Sequence, residues 1–351
     1  MADGFSWKEL TPGQQQTYQT TMAVYQAYLQ ARRDSRPLKG GMHWKTIRGR
    51  EYLYRYRDRL GHGESLGPRA ADTEQLFASY TRERREVTAR LHRERQRLTE
   101  QARFCRAARL NRVPPATARI LRRLEEDPAG RNFLVIGTSA LYAYEAAAGV
   151  LLDSAVPEDL LAPSRGRLTL AVAGMMSWEE FLPLLNRTDR SFVPDPEVEC
   201  RAVNREGFQV QLLKAGSRRP GKQKTLTVPG AREPLPPEAG NLQYLTASPK
   251  FTQMVIGQDG GPATMMVADP RAFALNKLWL SQQEDREEAK RRCEYRQALA
   301  VADLVLRYLP PYDYFSTELD MLPQDLVQSA ARFAEGQEPE GEEDGIHSPY
   351  E

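Results

Sequence analysis

The sequence predicts an α+β fold, in which a small mixed sheet is flanked by helical regions on both sides. A stripe of apolar side chains recurs at helical spacing through residues 72–110, which predicts one long helix. The apolar run Phe133-Leu-Val-Ile is followed by Gly137, a pattern typical of a buried strand that enters a turn. From Pro270 onward the apolar spacing is helical again. A short sheet between helical segments is the arrangement of an α+β protein.

Residues 1–126 are predicted to form a basic, mainly helical extension. We expect, in order, a helix over 14–33, a strand or short hairpin over 44–57 closed by glycines near 61–67, the long helix over 72–110 and a short helix over 116–126. The hairpin prediction depends on Tyr52, Tyr54 and Tyr56, which recur at the period of two that a strand requires.

The core is predicted over 127–269, a helical cap over 270–334 and an acidic, disordered tail over 335–351. The strand candidates are 133–136, 167–172, a hairpin of 200–204 with 208–213, and edge strands at 226–228 and 265–268. The helix candidates are 138–148, 178–185, a helix that begins at Pro270, 289–308 and 322–333.

Composition limits the class of protein. The chain has 351 residues, of which 40% are hydrophobic, so it can bury a core and is not a wholly disordered protein. No apolar run approaches the ~20 residues of a membrane-spanning helix. Charged residues among the first ten positions do not resemble a signal peptide, so a cytoplasmic location is expected. Cys105, Cys200 and Cys293 are too far apart to predict a disulfide framework or a zinc site.

Charge is distributed unevenly along the chain. The net charge is only +2, from 49 Lys and Arg against 47 Asp and Glu. Residues 45–123, however, carry 21 Lys and Arg against 9 Asp and Glu. This local excess predicts a basic surface for an anionic partner.

The segment Gly137-Thr-Ser, between a predicted strand and a predicted helix, is a candidate phosphate-binding turn. A glycine lets the backbone approach a ligand closely, and the hydroxyls and the helix N-terminus supply hydrogen-bond donors. The alternative is an ordinary strand–turn–helix corner in which Thr138 or Ser139 caps the helix.

A wider set of segments has the order and spacing found in a known family. In the N-terminal part these are Arg48-Gly, Tyr52-Leu-Tyr, Gly67-Pro-Arg and Arg112-Val-Pro. In the core they are Gly137-Thr-Ser-Ala-Leu-Tyr-Ala-Tyr-Glu-Ala, Ala148-Gly-Val, Asp189-Arg-Ser-Phe and Arg201-Ala-Val-Asn-Arg. Toward the C-terminus they are Pro270-Arg-Ala-Phe-Ala-Leu-Asn-Lys-Leu-Trp-Leu-Ser and Gln297-Ala. Through these segments the chain resembles a family of bacterial proteins with a nucleotidyltransferase fold, in the DNA polymerase β-like superfamily.

This resemblance implies a site for a nucleoside triphosphate. In the superfamily, small residues after the first strand hold the triphosphate. Two carboxylates in an Asp-x-Asp pair on a second strand, with a third carboxylate from a later strand, bind two Mg²⁺ ions. Mg²⁺ would be a cofactor here only if the chain is an active enzyme.

The sequence departs from that pattern at the carboxylates. Aligned on Gly166-Arg-Leu-Thr-Leu, the pair of acids is replaced by Arg167 and Thr169. Aligned on Pro157-Glu-Asp-Leu, Asp159 is kept, and Gln211 stands at the third position in either case. Arginine has no acceptor atom and cannot bind Mg²⁺, although it can bind phosphate in a bidentate way. The sequence therefore predicts a degenerate metal site.

The candidate residues follow from these alignments. Predicted nucleotide-binding residues are Gly137, Thr138, Ser139, Arg167, Thr169, Gln211 and Lys277. Asp159 and Asp153 are the candidate catalytic acids, although Asp153 also fits a solvated turn. Lys277 could approach a phosphate, or it could extend its amine to solvent from an apolar helix. No metal ligand is assigned.

The basic N-terminal segment is a candidate nucleic-acid interface. Arg48, Arg50, Arg55 and Arg57 could contact phosphates, and the three tyrosines could stack on bases. The alternative is a strand whose tyrosines form the apolar face and whose arginines form the wet face.

Three functions remain open from the sequence. The first is a nucleotidyltransferase-fold protein with a degenerate metal site that binds a nucleotide or nucleic acid. The second is an active Mg²⁺-dependent enzyme that moves a nucleoside monophosphate (NMP) from a nucleoside triphosphate (NTP) to RNA or protein. The third is a non-catalytic interaction module.

Overall fold

The fold is taken from a computed structural model that describes residues 5–56, 62–127, 130, 132–152, 160–172, 177–215, 238–239, 242–284, 286–314 and 316–319. The helices are α1 (Pro12–Ser35), α2 (Ala71–Ala107), α3 (Pro115–Glu126), α4 (Leu141–Ala148), α5 (Ala162–Gly166), α6 (Trp178–Asn186), α7 (Leu242–Ala247), α8 (Pro270–Ser281) and α9 (Glu288–Tyr308). The strands are β1 (Trp7–Glu9), β2 (Gly41–Ile47), β3 (Arg50–Tyr56), β4 (Gly63–Pro68), β5 (Phe133–Ile136), β6 (Val150–Leu152), β7 (Arg167–Val172), β8 (Val193–Pro194), β9 (Arg201–Val203), β10 (Gln209–Ala215), β11 (Glu238–Ala239), β12 (Lys250–Ile256) and β13 (Pro262–Ala268).

These elements confirm the α+β class, and most of the predicted elements are present. Several predicted elements lie outside the described residues, namely the strand at 226–228, the helix at 322–333 and the tail at 335–351. Among the described helices, none has both the length and the apolar character that crossing a bilayer requires.

The chain divides into two compact units. One unit contains residues 12–111 and 259–262, and we call it the N-terminal unit. The other contains residues 1–11, 112–258 and 263–351, and we call it the core unit. Each unit is described by itself.

In the N-terminal unit, α1 and α2 pack together and a three-stranded antiparallel sheet has the order β2-β3-β4. One face of this sheet is buried, with Met42 and Leu53 packed against Tyr80 of α2. The prediction that glycines near 61–67 only close the hairpin is wrong, because Gly63–Pro68 forms the third strand. Gly63 and Gly67 of β4 both pair with residues of β3, and a β-bulge shifts the register between Leu53 and Tyr54.

The core unit contains an eight-stranded mixed sheet. Its order is β12-β13-β5-β7-β10-β9-β8, and β11 pairs with β10. Strand β7 is antiparallel to β5 and parallel to β10, while β13 is parallel to β5. The predicted edge strand near 265–268 is therefore an internal strand, since β12 and β5 flank it. The predicted hairpin of β9 with β10 is confirmed.

Apolar side chains of α3, α4, α6, α8 and α9 cover this sheet and form one large core. Strand β5 is buried along its whole length, as its continuous apolar run predicts. A separate two-stranded ladder joins β1 to β6, and Trp7 of β1 also donates to Asp303 at 2.7 Å.

Two hydrogen-bonded clusters, each built on a charged residue, hold loops of the core unit in place. Arg271 is 1% exposed, and its guanidinium donates to Asp269, to Glu318 and to the carbonyl of Asp313. Asp269 also caps α8 by accepting from the Arg271 backbone at 2.8 Å. Such a buried pair is costly to break, because the remaining charge would be left without a partner.

The second cluster is built on Asp189. Its carboxylate accepts from the backbone and the hydroxyl of Ser191 and from the side-chain amide of Asn204. These hydrogen bonds, that of the Ser191 backbone first, hold the pKa of Asp189 below its usual value. Two segments that carried the resemblance, at 189–192 and 201–205, are thus joined by Asp189 and Asn204.

Candidate functional site

The turn that follows β5 has the conformation that its sequence predicts. Gly137 has φ +70°, a left-handed conformation that favours glycine, and no atom within 4 Å would meet an added Cβ. The backbone conformation, rather than crowding, therefore selects glycine here. Residues Gly137–Ala140 form one 3-10 turn that leads into α4, and Ser139 is 2% exposed. We call this segment the β5 turn.

Sheet register brings the predicted positions of two other strands next to the β5 turn. Thr169 of β7 pairs with Ile136 at the end of β5 and with Gln211 of β10. Arg167 pairs with Gln209 in the same ladder. Because alternate residues of a strand share a face, and because Leu168, Leu170, Val210 and Leu212 are buried, the four polar residues lie together on the other face.

Arg167 has no carboxylate to neutralise it among the described residues. Its Nε and Nη2 atoms donate to the Oε1 atom of Gln209 at 3.1 and 2.9 Å, and the side chain is exposed. The Ser139 hydroxyl lies 3.5 Å from the Arg167 carbonyl oxygen. This guanidinium thus stands at the start of β7, the strand that flanks the β5 turn.

The described residues of this face offer no carboxylate to a Mg²⁺ ion. Thr169 and Gln211 offer only neutral oxygens, and Arg167 offers none. Within the ranges that the structure describes, no group of three or more His, Cys, Asp or Glu could hold a metal ion. Asp153 and Asp159, the candidate catalytic acids, lie outside those ranges.

A buried glutamine connects the β5 turn to α9 and to the chain at residue 160. Gln297 is 1% exposed, and its Nε2 atom donates to the Thr138 hydroxyl at 2.9 Å and to the Leu160 carbonyl at 3.1 Å. The same nitrogen lies 3.5 Å from the Cys293 sulfur. The Oε1 atom of Gln297 is buried and accepts no hydrogen bond from the described chain. The sequence noted Gln297 only as part of the resemblance, because nothing local connects it to Thr138.

Lys277 lies in α8 and is 8% exposed. Its amine is 3.7 Å from the Oε1 atom of Glu294, which also accepts from Arg286 at 2.8 Å. Burial lowers the pKa of Lys277, while the Glu294 charge acts in the opposite direction. The alternative in which this lysine extends to solvent is wrong, because α9 packs over it. Its amine contacts Glu294 and lies 5.7 Å from the centre of the Phe273 ring.

The acid nearest to the β5 turn in sequence is already engaged. Glu145 of α4 is 3% exposed and pairs with Arg112 at 2.9 Å, and it accepts from the Leu152 backbone at 2.8 Å. Burial raises the pKa of Glu145, and the Arg112 charge opposes this rise. The sequence did not predict this pair, which joins two of the segments that carried the resemblance.

The predicted nucleic-acid contacts lie in the N-terminal unit. Arg48 and Arg50 are exposed at the tip of the β2–β3 hairpin, whereas Arg55 donates to the Pro37 carbonyl at 3.3 Å. Arg57 lies outside the described residues. The alternative in which the tyrosines form the apolar face of the strand is wrong, because Leu53 faces the core and its neighbours Tyr52 and Tyr54 point the other way.

Of three comparisons with known proteins, one identifies a family. No curated protein and no solved structure matches the chain. A family model described as nucleotidyltransferase matches residues 115–320, which is more than half of the chain. The match spans the β5 turn, β7, β10 and the helices α8 and α9 that pack beside them. The chain therefore belongs to the nucleotidyltransferase family.

Proposed function

We propose that the core unit binds a nucleoside triphosphate between the β5 turn and Arg167, and that this binding needs no divalent metal. Family membership supports a function of the nucleotidyl-transfer type in general. The observation that carries the finer proposal is that Arg167, Thr169 and Gln211 share one face of β7 and β10. In one of the two alignments that the resemblance allows, these are the positions of the carboxylates.

The charge of Arg167 supplies what a metal ion would otherwise supply. A guanidinium forms charge-assisted, bidentate hydrogen bonds with phosphate. Its partner Gln209 is a neutral amide, so phosphate can compete for these donors without breaking an ion pair. The backbone of Gly137 and the hydroxyl of Thr138 add donors beside it, whereas the predicted ligand Ser139 is buried and its hydroxyl donates to the Arg167 carbonyl.

The test is calorimetric titration of the full chain with each of the four NTPs, in Mg²⁺ and in EDTA. The proposal predicts binding of similar affinity in both conditions. Binding only in Mg²⁺ would contradict it and would show that acids elsewhere build a metal site. No binding in either condition would also contradict it and would favour the interaction module.

A second candidate function, active nucleotidyl transfer, is favoured by one specific contact. Gln297 holds the Leu160 carbonyl beside Thr138, and Asp159 is the residue bonded to Leu160 in the chain. In such a reaction an acceptor hydroxyl attacks the α-phosphorus of the NTP, a new P–O bond forms and pyrophosphate leaves.

This candidate is tested by transfer of label from α-labelled NTP to RNA or protein, with Mg²⁺ present. Label transfer by the natural chain that is lost in Asp159→Asn would support it, with Asp153→Asn compared in the same assay. Absence of transfer, with NTP binding intact, would exclude it for the acceptors tested.

A further inference from the structure

The sheet of the N-terminal unit has an aromatic face that its core does not use. Tyr52, Tyr54 and Tyr56 occupy alternate positions of the central strand β3, and all three are partly exposed. The other face of the sheet is the buried one, where Met42 and Leu53 pack against α2. The core of the N-terminal unit therefore does not account for three aromatic residues on this face.

The neighbours of the tyrosines leave this face open. On β4 the residues opposite Tyr56, Tyr54 and Tyr52 are Gly63, Ser65 and Pro68, and all three are exposed. Directly paired residues of an antiparallel ladder share a face, so small side chains border the rings on this side. The rings of Tyr54 and Tyr56 are stacked, with centroids 6.2 Å apart.

Basic side chains lie around the same rings. On β2 the residues opposite Tyr54 and Tyr52 are His43 and Lys45, both exposed. The Lys45 amine lies 5.2 Å from the centre of the Tyr54 ring, and the His43 and Tyr56 rings are 6.0 Å apart. Arg84 of α2 reaches the same edge, since its guanidinium lies 3.7 Å from where a Cβ on Gly41 would stand.

We propose that this face, which we call the tyrosine face, binds single-stranded nucleic acid. Each base has a planar surface that can stack on an exposed aromatic ring, and a row of rings at strand spacing can take successive bases. Lys45 and Arg84 would neutralise the phosphates between the bases. A duplex hides its base planes inside its stack, so it fits this surface less well.

Binding of a strand to the tyrosine face does not depend on the function proposed for the core unit. The two are separable by variants. Arg167→Gln should weaken NTP binding and leave oligonucleotide binding unchanged, whereas Tyr54→Leu should do the reverse.

The experiment measures fluorescence anisotropy of labelled ten-nucleotide single strands, one of RNA and one of DNA, and of a duplex of the same length. We expect Tyr54→Leu to weaken single-strand binding by about 5- to 150-fold, as loss of one stacked base does elsewhere. Tyr28→Leu, a matched change at a partly exposed tyrosine of α1 in the same unit, should change the affinity less than about twofold. The RNA and DNA arms show which sugar the site accepts.

Salt dependence distinguishes stacking from charge. Lys45→Gln should reduce the slope of log affinity against log salt by about 0.7, the value for one phosphate contact on a single strand. Tyr54→Leu should lower the affinity at all salt concentrations and leave the slope unchanged. Equal affinities for Tyr54→Leu and the natural chain, or tighter binding of the duplex, would overturn the proposal.

Crosslinking provides a measurement that does not depend on variants. Single strands that contain 5-bromouridine should crosslink on irradiation to peptides that carry Tyr52, Tyr54 or Tyr56 in the natural full-length chain. Crosslinks confined to other peptides, or no crosslink at a concentration where anisotropy shows saturation, would overturn the proposal.

Discussion

Gln297 offers the sharpest single test of the site, because one side chain holds two parts of it. The change Gln297→Met keeps the length and volume of the side chain and removes the amide. The Thr138 hydroxyl and the Leu160 carbonyl would both lose the donor that now lies 2.9 and 3.1 Å away.

The expected magnitude follows from those contacts. A buried acceptor that loses its only donor costs about 1–3 kcal/mol, although removal of the unpartnered Oε1 atom of Gln297 offsets part of this cost. In Gln297→Met the amide no longer orients the Thr138 hydroxyl. Phosphate binding would then have to order this hydroxyl, which costs free energy. A penalty of about 1–2 kcal/mol weakens NTP affinity by about 5- to 30-fold.

The assay is calorimetric titration with ATP in EDTA, with urea unfolding of the same samples. Gln96→Met, the same substitution at an exposed position of α2, serves as the matched control and should alter neither quantity. A double-mutant cycle with Thr138→Val separates positioning from simple loss of stability. If Gln297 acts through Thr138, the double variant binds ATP with the same affinity as whichever single variant binds ATP more weakly. Fully additive losses, or unchanged affinity in Gln297→Met, would refute the reasoning.

Gln297→Glu adds a pH readout that a merely structural role would not give. An ionised carboxylate cannot donate to Leu160, so burial and this carbonyl should raise the pKa of the new glutamate. The protonated form restores a donor. ATP affinity of this variant should therefore approach that of the natural chain at low pH and fall as pH rises through the raised pKa. A flat profile would count against the positioning role.

Three further predictions concern the same unit. Gly137→Ala should cost about 1–2 kcal/mol of unfolding free energy, measured in urea, because an alanine at φ +70° is strained even though space is available; a cost near zero would show that the turn relaxes. Arg271→Met should lower the free energy of unfolding by about 3–5 kcal/mol, because the buried Asp269 loses its counter-charge. Arg307→Met breaks an exposed pair and should lower it by less than about 1 kcal/mol. Equal losses in the two variants would contradict the account. Asp189→Asn should lower the free energy of unfolding by about 1 kcal/mol at pH 7. Because the pKa of Asp189 is lowered in the folded chain, the difference in stability between the variant and the natural chain should shrink as pH falls below about 4. A difference that is constant with pH would be contrary evidence.

Much of the fold could be predicted from local pattern. The apolar run of β5 followed by Gly137, the long stripe of α2 and the helices from Pro270 onward each carry a periodic signal within one segment. Strand β12 carried a signal in the buried apolar run Met254-Val-Ile, which sequence reasoning missed. The ladder of β1 with β6 was not predictable, because three-residue strands have no recognisable period and their partners are far apart in sequence.

The candidate site was predictable in its strands but not in its connections. Gly137 was predicted from the local strand–turn–helix pattern, and Arg167 and Gln211 from the positions that a family pattern gives to residues of two strands. Gln209 was missed, although it shares a face with Gln211 at a spacing of two. Gln297 could not be connected to Thr138, since only the packing of α9 brings together residues 159 positions apart.

The most direct test of the central claim is ATP titration, in EDTA, of the natural chain and of Arg167→Gln. The account predicts measurable binding by the natural chain and about 10- to 150-fold weaker binding by the variant, which is the loss of a charge-assisted contact to phosphate. Arg307→Gln should bind as the natural chain does. Equal affinities for Arg167→Gln and the natural chain, or binding that appears only when Mg²⁺ is added, would contradict the claim that a guanidinium replaces the metal at this site.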